Sequence, residues 1–582
     1  MAIKFTQVTQ TCLRRKRVKT KGQSRDSDSI RTEAPGFKKE KEMLDFPVLI
    51  SGGGPVGLAA SLLLSRHGVR SLLVERHPGT AITPKARGIN ARTMEVFRQC
   101  GIDAAIREAG LHEGRLGLIV WTETLAGKEI ERRAPGRATA KNMAMTPVKN
   151  CLCAQDDLEP VIRRFAEAAG PGTLRFNTEL SSFSQGPGAV TGVLTDRTTG
   201  AETPFTARYL IAAEGAQSAV RRALGVNMAG AEKIYDSVNI LFHADLTRWV
   251  EHRPAALYYV EQEDLRGTFL TINGRDRWGF LIHGPKQYGW QPKDFTPEFC
   301  AGLIRKAAGL PDLAVTVLGV SPWEASAIVA DRYRVGNVFL AGDAAHEMPP
   351  TGGFGLNTGV QDVHNLAWKI SAVLGGKADD ALLDSYNAER QPCGQIITEN
   401  ALANALSMGR TARQSGVLPR REFLNEQGLI FGACYRSIAV VPDGTPPVAG
   451  GDPVTEYVPS ARPGGRAPHV RLTRGNEPIS TIDLLGPHFV LLAGRDGERW
   501  RQAAQALGPS WPPLNAFTVG CDESLGDPDN NWHGVYGVDP DGAVLVRPDG
   551  YVAWRSRSGA SNPSEVLRAA FDCLLGRMPA IA

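Results

Sequence analysis

The feature that most constrains this chain is a cluster of glycines set between two apolar runs. Residues 46–76 read FPVLISGGGPVGLAASLLLSRHGVRSLLVER. An apolar run enters the cluster, an apolar helical stretch leaves it, and a second apolar run follows, which is the pattern of a β-α-β unit. Gly52, Gly54 and Gly57 have the GxGxxG spacing. In that fingerprint the first glycine permits a tight turn, the second lets the backbone approach a pyrophosphate, and the third lets the helix lie against the strand. The helix N-terminus then aims N–H groups and partial positive charge at the phosphates. Arg66 and His67, followed by Gly68, close the helix. Glu75 ends the second run, 18 residues after Gly57, where a carboxylate reaches ribose hydroxyls, and Arg76 follows it. The spacing predicts a dinucleotide site and does not by itself separate NAD from FAD.

Composition narrows the remaining classes. A chain of 582 residues predicts several domains. Its 42% hydrophobic and 22% charged residues exclude a wholly disordered chain, and no apolar run is long enough to predict a transmembrane helix. The net charge of +5 is misleading, because residues 1–42 carry 12 Lys/Arg against 5 Asp/Glu. The body without them is slightly acidic, which gives no electrostatic case for nucleic-acid binding. Residues 1–42 are expected to be a disordered basic tail ahead of the first strand. The 9 cysteines are scattered, with no CxxC and no metal-ligand spacing. That pattern predicts no metal site and free thiols in a reducing cytoplasm.

Two further glycine turns follow strand-like runs. Residues 338–343 read VFLAGD and end on Gly342 and Asp343. A breaker cluster at 349–353 comes next, and Gly355, Leu356 and Asn357 lead into a helix with apolar residues at Val360, Val363, Leu366, Ala367 and Ile370. The run 209–212 leads into EGAQSAVRRALG, which begins with Glu214 and Gly215. Two smaller pieces are PKARGINARTMEVF at 84–97, with Arg87, and QDDLEPVI at 155–162, with Gln155 leading a helix.

Taken in this order, the motifs resemble those of the class A FAD-dependent aromatic monooxygenases, which share the para-hydroxybenzoate hydroxylase fold. Within them the chain looks most like the phenol hydroxylase and aromatic polyketide hydroxylase subgroup, over about residues 45–582. The resemblance implies that Asp343 binds the FAD ribityl chain and that Gly355, Leu356 and Asn357 lie near the flavin pyrimidine edge. A helix N-terminus there would stabilise the negative charge of reduced flavin. It also implies that Arg87 meets flavin or substrate, that Gln155 contacts FAD, and that the 214–225 segment contacts FAD and a transient NADPH or NADH. Glu214 departs from the family's usual Asp and retains a carboxylate.

Between the second and third motifs the texture changes. Short strand-like runs at 237–245, 256–261, 267–272 and 278–283, with Asn273-Gly274 as a turn, predict an antiparallel sheet over about 227–330. In the resembling family such a sheet roofs the substrate. Tyr258, Tyr259, Phe269, Trp278 and Trp323 are candidate pocket aromatics, and Tyr258 and Tyr259 are candidate catalytic relays. His283 and His346 are candidate proton donors, each with ordinary packing or loop bonding as its alternative. Residues 411–466 read as a helix and a Pro/Gly-rich linker. Residues 467–582 resemble a thioredoxin-like C-terminal domain, with strands at 489–492, 517–519, 543–546 and 552–555 and a helix at 563–575. GAVLVRPDGYVAWR at 542–555 is its most specific piece, and without a CxxC its expected role is structural or dimer-supporting.

The expected fold class is therefore α/β: a Rossmann-type FAD-binding domain over 43–410 with an interleaved antiparallel substrate-binding sheet, plus a thioredoxin-like domain. The resemblance implies hydroxylation of a phenolic or polycyclic polyketide substrate through a flavin C4a-hydroperoxide, with O2 and NADPH or NADH consumed and a homodimer as the assembly. The single dinucleotide fingerprint disfavours two-Rossmann reductases, and no Trp-x-Trp pair supports a halogenase. Baeyer–Villiger oxygenation on the same fold and a non-catalytic binding protein are the alternatives.

Overall fold

The computed structural model describes residues 44–111, 119–133, 144–407, 426–447, 451–521 and 524–577. The expected tail at 1–42 and parts of the expected 411–466 linker lie outside the described residues. Met43–Ala582 forms one compact unit.

The first sheet is built on buried parallel strands. Leu44–Ser51 pairs in parallel with Ser71–Val74 on one side and with Glu202–Ala212 on the other, and Glu202–Ala212 pairs in parallel with Val338–Leu340. Strands covered on both faces read as continuous apolar runs, as SLLV and VFL do here. Ser51 sits opposite Ala212 and Ala212 opposite Leu340, so three strands end in one row. The turns at Gly52, Glu214 and Gly342 leave from that row. Helix Pro55–Arg66 and helix Gly355–Leu374 cover the sheet.

The second sheet has eight strands. In spatial order they are His346–Glu347, Thr316–Ala330, Met228–His243, Arg277–His283, Arg266–Thr271, Leu257–Glu261, Ile119–Thr122 and Glu129–Arg133. All pairings are antiparallel except that of Leu257–Glu261 with Ile119–Thr122. The sheet thus exceeds the expected 227–330 span. It recruits the strands Ile119–Thr122 and Glu129–Arg133 from an earlier insertion, the latter a charged edge strand (EIERR) with little apolar signal. Helix Pro297–Ala308 packs on the back of this sheet around Ile240, Phe242, Phe269, Trp278 and Phe280.

The C-terminal part carries a four-stranded sheet. Leu514–Thr518, Phe489–Ala493, Ala543–Val546 and Val552–Ser556 lie in that order, with only the first pair parallel. Helices Glu498–Gln505 and Pro563–Leu574 share its apolar core. This is the βαβ-then-ββα arrangement of a thioredoxin-like domain. Among the described residues no helix is long and apolar enough to cross a membrane.

Candidate active site

The three glycine turns open into one cleft of about 2700 Å³, bounded on the far side by one face of the second sheet. Local backbone geometry explains each glycine. Gly52 has φ +108°, and a Cβ there would lie 2.3 Å from the Ala213 carbonyl oxygen. A Cβ on Gly57 would lie 1.9 Å from the Gly52 oxygen, so helix Pro55–Arg66 can approach its strand only with glycine at that position. Gly54 has nothing within 4 Å of a Cβ position and faces the open cleft.

Two of the helices that start at the cleft begin without a protein cap. Neither Pro55–Arg66 nor Gly355–Leu374 has a side-chain N-cap bond or an acidic residue in its first turn. Their first N–H groups and positive dipole ends are therefore available to an anionic or polar ligand. Gly355 and Leu356 line the cleft beside them.

At the three glycine turns, the carboxylates of Glu75 and Glu214 are bonded within the protein and that of Asp343 is not. Glu75 accepts from the Gly53 N–H at 2.6 Å and the His77 N–H at 2.9 Å, which folds its carboxylate over the glycine turn. Arg76 is exposed on the cleft rim. Glu214 accepts from the Ser51 hydroxyl at 2.7 Å, the Ser218 hydroxyl at 2.7 Å and the Val220 N–H at 3.0 Å. Its carboxylate caps the short helix Ala219–Ala223 and ties it to the first strand, and Gly215 turns beneath it at φ +80°. Asp343 differs, since its carboxylate has no hydrogen-bond or ion-pair partner among the described residues. Depth in the cleft pushes its pKa up, against the pull of His346 and Lys85.

Gly342 is held by residues that sequence reasoning missed. Its N–H donates to Asp362 Oδ2 at 3.2 Å, and Asp362 also meets His346 Nε2 at 2.8 Å and accepts from Arg390 Nε at 2.8 Å. A Cβ on Gly359 would lie 2.9 Å from Gly342 Cα, so this helix glycine lets the cofactor turn nest on the helix. The available signal was a carboxylate and a glycine on the apolar face of a helix. His346 is fully buried and does not line the cleft, which removes it as a proton donor to substrate.

Arg87 ties its loop to the second sheet. Its guanidinium donates to the Thr271 and Ala256 carbonyl oxygens, each at 2.7 Å, and burial lowers its pKa to about 10. It is a fixed cation in the cleft wall. Gln155 donates to Glu159 at 2.7 Å and accepts from the Ala86 N–H at 3.3 Å, which secures the loop that carries Arg87. Asn357 donates to the Gly353 and Gly88 carbonyls at 2.6 and 2.9 Å and accepts from the Asn90 N–H at 2.9 Å. Its carboxamide is bonded within the protein, so it shapes the loop rather than offering its side chain to a ligand.

The roof corrects the aromatic assignments. Tyr258 faces the back of the sheet, donates to the Arg253 carbonyl at 2.9 Å and accepts from the Ala255 N–H at 2.8 Å. It therefore cannot serve as a catalytic relay. Phe269 and Trp278 lie in the same back core. Adjacent strand residues point to opposite faces, so Tyr258 and Tyr259 could never both line the pocket. Tyr259 faces the cleft and stacks on Trp121 with centroids 5.2 Å apart and planes at 14°. Burial pushes its phenol well above the usual range, so it is neutral at neutral pH. Trp323 and His283 also line the cleft. His283 Nδ1 lies 3.1 Å from the Ser237 hydroxyl, and burial lowers its pKa to about 4, which makes it a neutral imidazole and a poor acid.

Residues 45–401 match the family model described as FAD binding domain, and residues 460–578 match that described as aromatic-ring hydroxylase, C-terminal. The chain belongs to the FAD-dependent aromatic-ring hydroxylases. Among relatives of this hydroxylase, a putative polyketide hydroxylase of Streptomyces halstedii is 42% identical, with 88% of this chain and 93% of the relative covered. The tetracenomycin A2 monooxygenase-dioxygenase of Streptomyces glaucescens is 40% identical, with 92% and 97% covered. The crystal structure of the flavin-dependent monooxygenase PieE, in complex with FAD and substrate, superposes with a TM-score of 0.85 at 35% identity, covering 92% of this chain and all of that one. The hydroxylase is a flavin monooxygenase, and its residues fit FAD. The unpaired Asp343, the open face of Gly54 and the two uncapped helix N-termini supply what a ribityl chain, a pyrophosphate and a flavin ring require.

Proposed function

We propose that the protein hydroxylates a fused-ring phenol of the aromatic polyketide type, using O2 and NADPH or NADH as the reductant. The observation that carries this reading is the size and lining of the cleft. At about 2700 Å³ it is several times the roughly 300–1,000 Å³ of an ordinary ligand pocket. It therefore has room for a dinucleotide and a large substrate together. The relatives named for polyketides and for tetracenomycin A2 support the same class.

Bound FAD would supply oxygen activation, and the chain's residues do the rest. Gly52, Gly54 and Gly57 with helix Pro55–Arg66 take the pyrophosphate, and Glu75 and Arg76 stand at the ribose end. Asp343 takes ribityl hydroxyls. The N-terminus of Gly355–Leu374 offsets negative charge on the flavin. Tyr259, Trp121 and Trp323 orient an aromatic ring and keep water from it. Arg87, fixed by two carbonyls, stabilises a phenolate, the ionised form that reacts fastest with an electrophilic oxygen. Free thiols throughout the described residues support a cytoplasmic setting. The family resemblance supports a homodimer, which sedimentation would measure.

The test is the visible spectrum of the purified protein, followed by NADPH and NADH oxidation with a panel of simple and fused-ring phenols. A yellow protein that converts a fused-ring phenol to a product heavier by one oxygen is the expected result. A colourless protein that cannot be reconstituted with FAD would overturn the reading in favour of a non-catalytic binding protein.

A further inference from the structure

We infer that Asn239 and Thr268 form a two-point recognition site for a fused-ring substrate with hydroxyls at both ends. The inference rests on the hydroxylase reading above and specifies which residues choose the substrate. Strand register places Ser321, Asn239, Leu281, Thr268, Tyr259 and Trp121 opposite one another in turn. All six line the cleft, so they form one continuous row across the roof.

The adjoining row on the same face holds Gly279, Leu270, Leu257 and Ile119. Gly279 stands inside a strand, where glycine often marks close approach of a ligand. A Cβ there would meet Leu270 Cδ1 at 3.3 Å and Asn239 Oδ1 at 3.4 Å. A side chain at Gly279 would press on Leu270 and Asn239, so glycine there lets both keep their places on the cleft face.

Within the polar row, Asn239 Oδ1 and Thr268 Oγ1 are both buried and bond to nothing among the described residues. Thr268 is only 3% exposed. Buried polar atoms are almost always hydrogen-bonded, so two such atoms on one row of a ligand cleft point to groups on the ligand. Both residues pair with Leu281, one from each side, which sets them about 10 Å apart at the usual strand spacing. Where both hydrogen bonds descend from the roof, the two ligand oxygens must themselves lie about 10 Å apart, which is beyond the roughly 5–6 Å reached across one benzene ring and within reach of the outer rings of a fused system. Leu281 between them presents an apolar surface to the ring body. A phenolic hydroxyl both donates and accepts, so it satisfies the Thr268 hydroxyl and the Asn239 carboxamide in either orientation.

The test uses FAD-reconstituted full-length protein and isothermal titration calorimetry. The probes are a dihydroxyanthraquinone with its hydroxyls on opposite outer rings, its dimethyl ether, and phenol. The wild type is expected to bind the dihydroxy compound about tenfold or more tighter than either other probe. Asn239→Leu and Thr268→Val are each expected to weaken that binding by roughly five- to tenfold and to narrow the preference over the ether by the same factor, and only the double substitution should erase it. The two effects should multiply, because the sites are well separated. Thr268→Val should melt no lower than wild type without ligand, because the lost hydroxyl has no protein partner. Undiminished binding in both variants, or equal binding of the ether by the wild type, overturns the inference. If the protein takes up FAD and hydroxylates phenol but shows no preference for the fused-ring probe, the two-point site falls and the hydroxylase reading stands. If it takes up no FAD, that reading falls and this inference falls with it.

Discussion

Asp343 illustrates how a residue can be held in reserve for a ligand. Its carboxylate is unpaired and open to the cleft, so in the ligand-free fold it keeps its hydration and offers both oxygens to a partner. Asp343→Asn is therefore expected to leave the melting temperature of the apoprotein unchanged while weakening FAD binding by roughly tenfold or more, the scale of a lost charge-assisted hydrogen bond. Thermal melts and a flavin-fluorescence titration would measure the two, and undiminished FAD binding would contradict the assignment. His283 makes a pH prediction. Its pKa falls from 6.5 unfolded to about 4 folded, so the unfolded chain binds the extra proton between those values. Stability is thus full above pH 6.5 and declines as pH falls toward 4. His67 has the same shift and sign, so the specific measurement is the difference made by His283→Gln, which should flatten the decline in this window. At this scale Gly52, Gly54, Gly57, Glu75 and Asp343 were legible, because backbone approach and exposed charge leave a local spacing. Asp362 and Gly359 were not, because their partners lie on other elements.

Elements decide which face a side chain presents. The runs around 256–283 were legible as strands, and strict alternation already separates Tyr258 from Tyr259. Which of the two looks at the cleft depends on where helix Pro297–Ala308 packs, and that contact is tertiary. The same alternation puts Gly279 on the cleft face. Gly279→Val should therefore displace Leu270 and Asn239, lower affinity for a fused-ring ligand by tenfold or more and leave FAD content unchanged. Calorimetry and the flavin absorbance of one sample measure both quantities. The strand Glu129–Arg133 shows the opposite case, since its mostly charged residues at a sheet edge satisfy the backbone ladder with little apolar signature.

The whole molecule is joined by buried charge. Glu389 accepts from Lys369 Nζ at 2.7 Å, from Arg547 at 2.6 and 2.9 Å and from the Ser437 hydroxyl at 2.6 Å, while Arg547 also pairs with Asp549. Arg92 donates to the Asp549 carbonyl at 2.7 Å, and Arg466 and Arg92 both pair with Glu95. The turn of the RPDGY motif is therefore a plug between the C-terminal domain and helix Gly355–Leu374, rather than a redox element. Burial alone would raise the pKa of Glu389, but Arg547 and Lys369 overcome it and hold the carboxyl well below the usual range. Its contribution is present above pH 4.5 and is lost as pH falls below that value. Glu389→Gln leaves two buried cations short of a counter-charge and should cost about 3–5 kcal/mol, measurable by denaturant titration at neutral pH. An unchanged midpoint would show that the domains are held by apolar contact instead. By itself the sequence determined the nucleotide turns, the order of the three motifs and the class of the C-terminal domain, because each is encoded in local spacing and backbone conformation. Only the tertiary structure decided which aromatics face the cleft, what holds Gly342 in place and how the last domain is docked. Those outcomes depend on contacts between residues hundreds of positions apart, and a buried charge or an orphaned hydroxyl has no meaning until its surroundings are assembled.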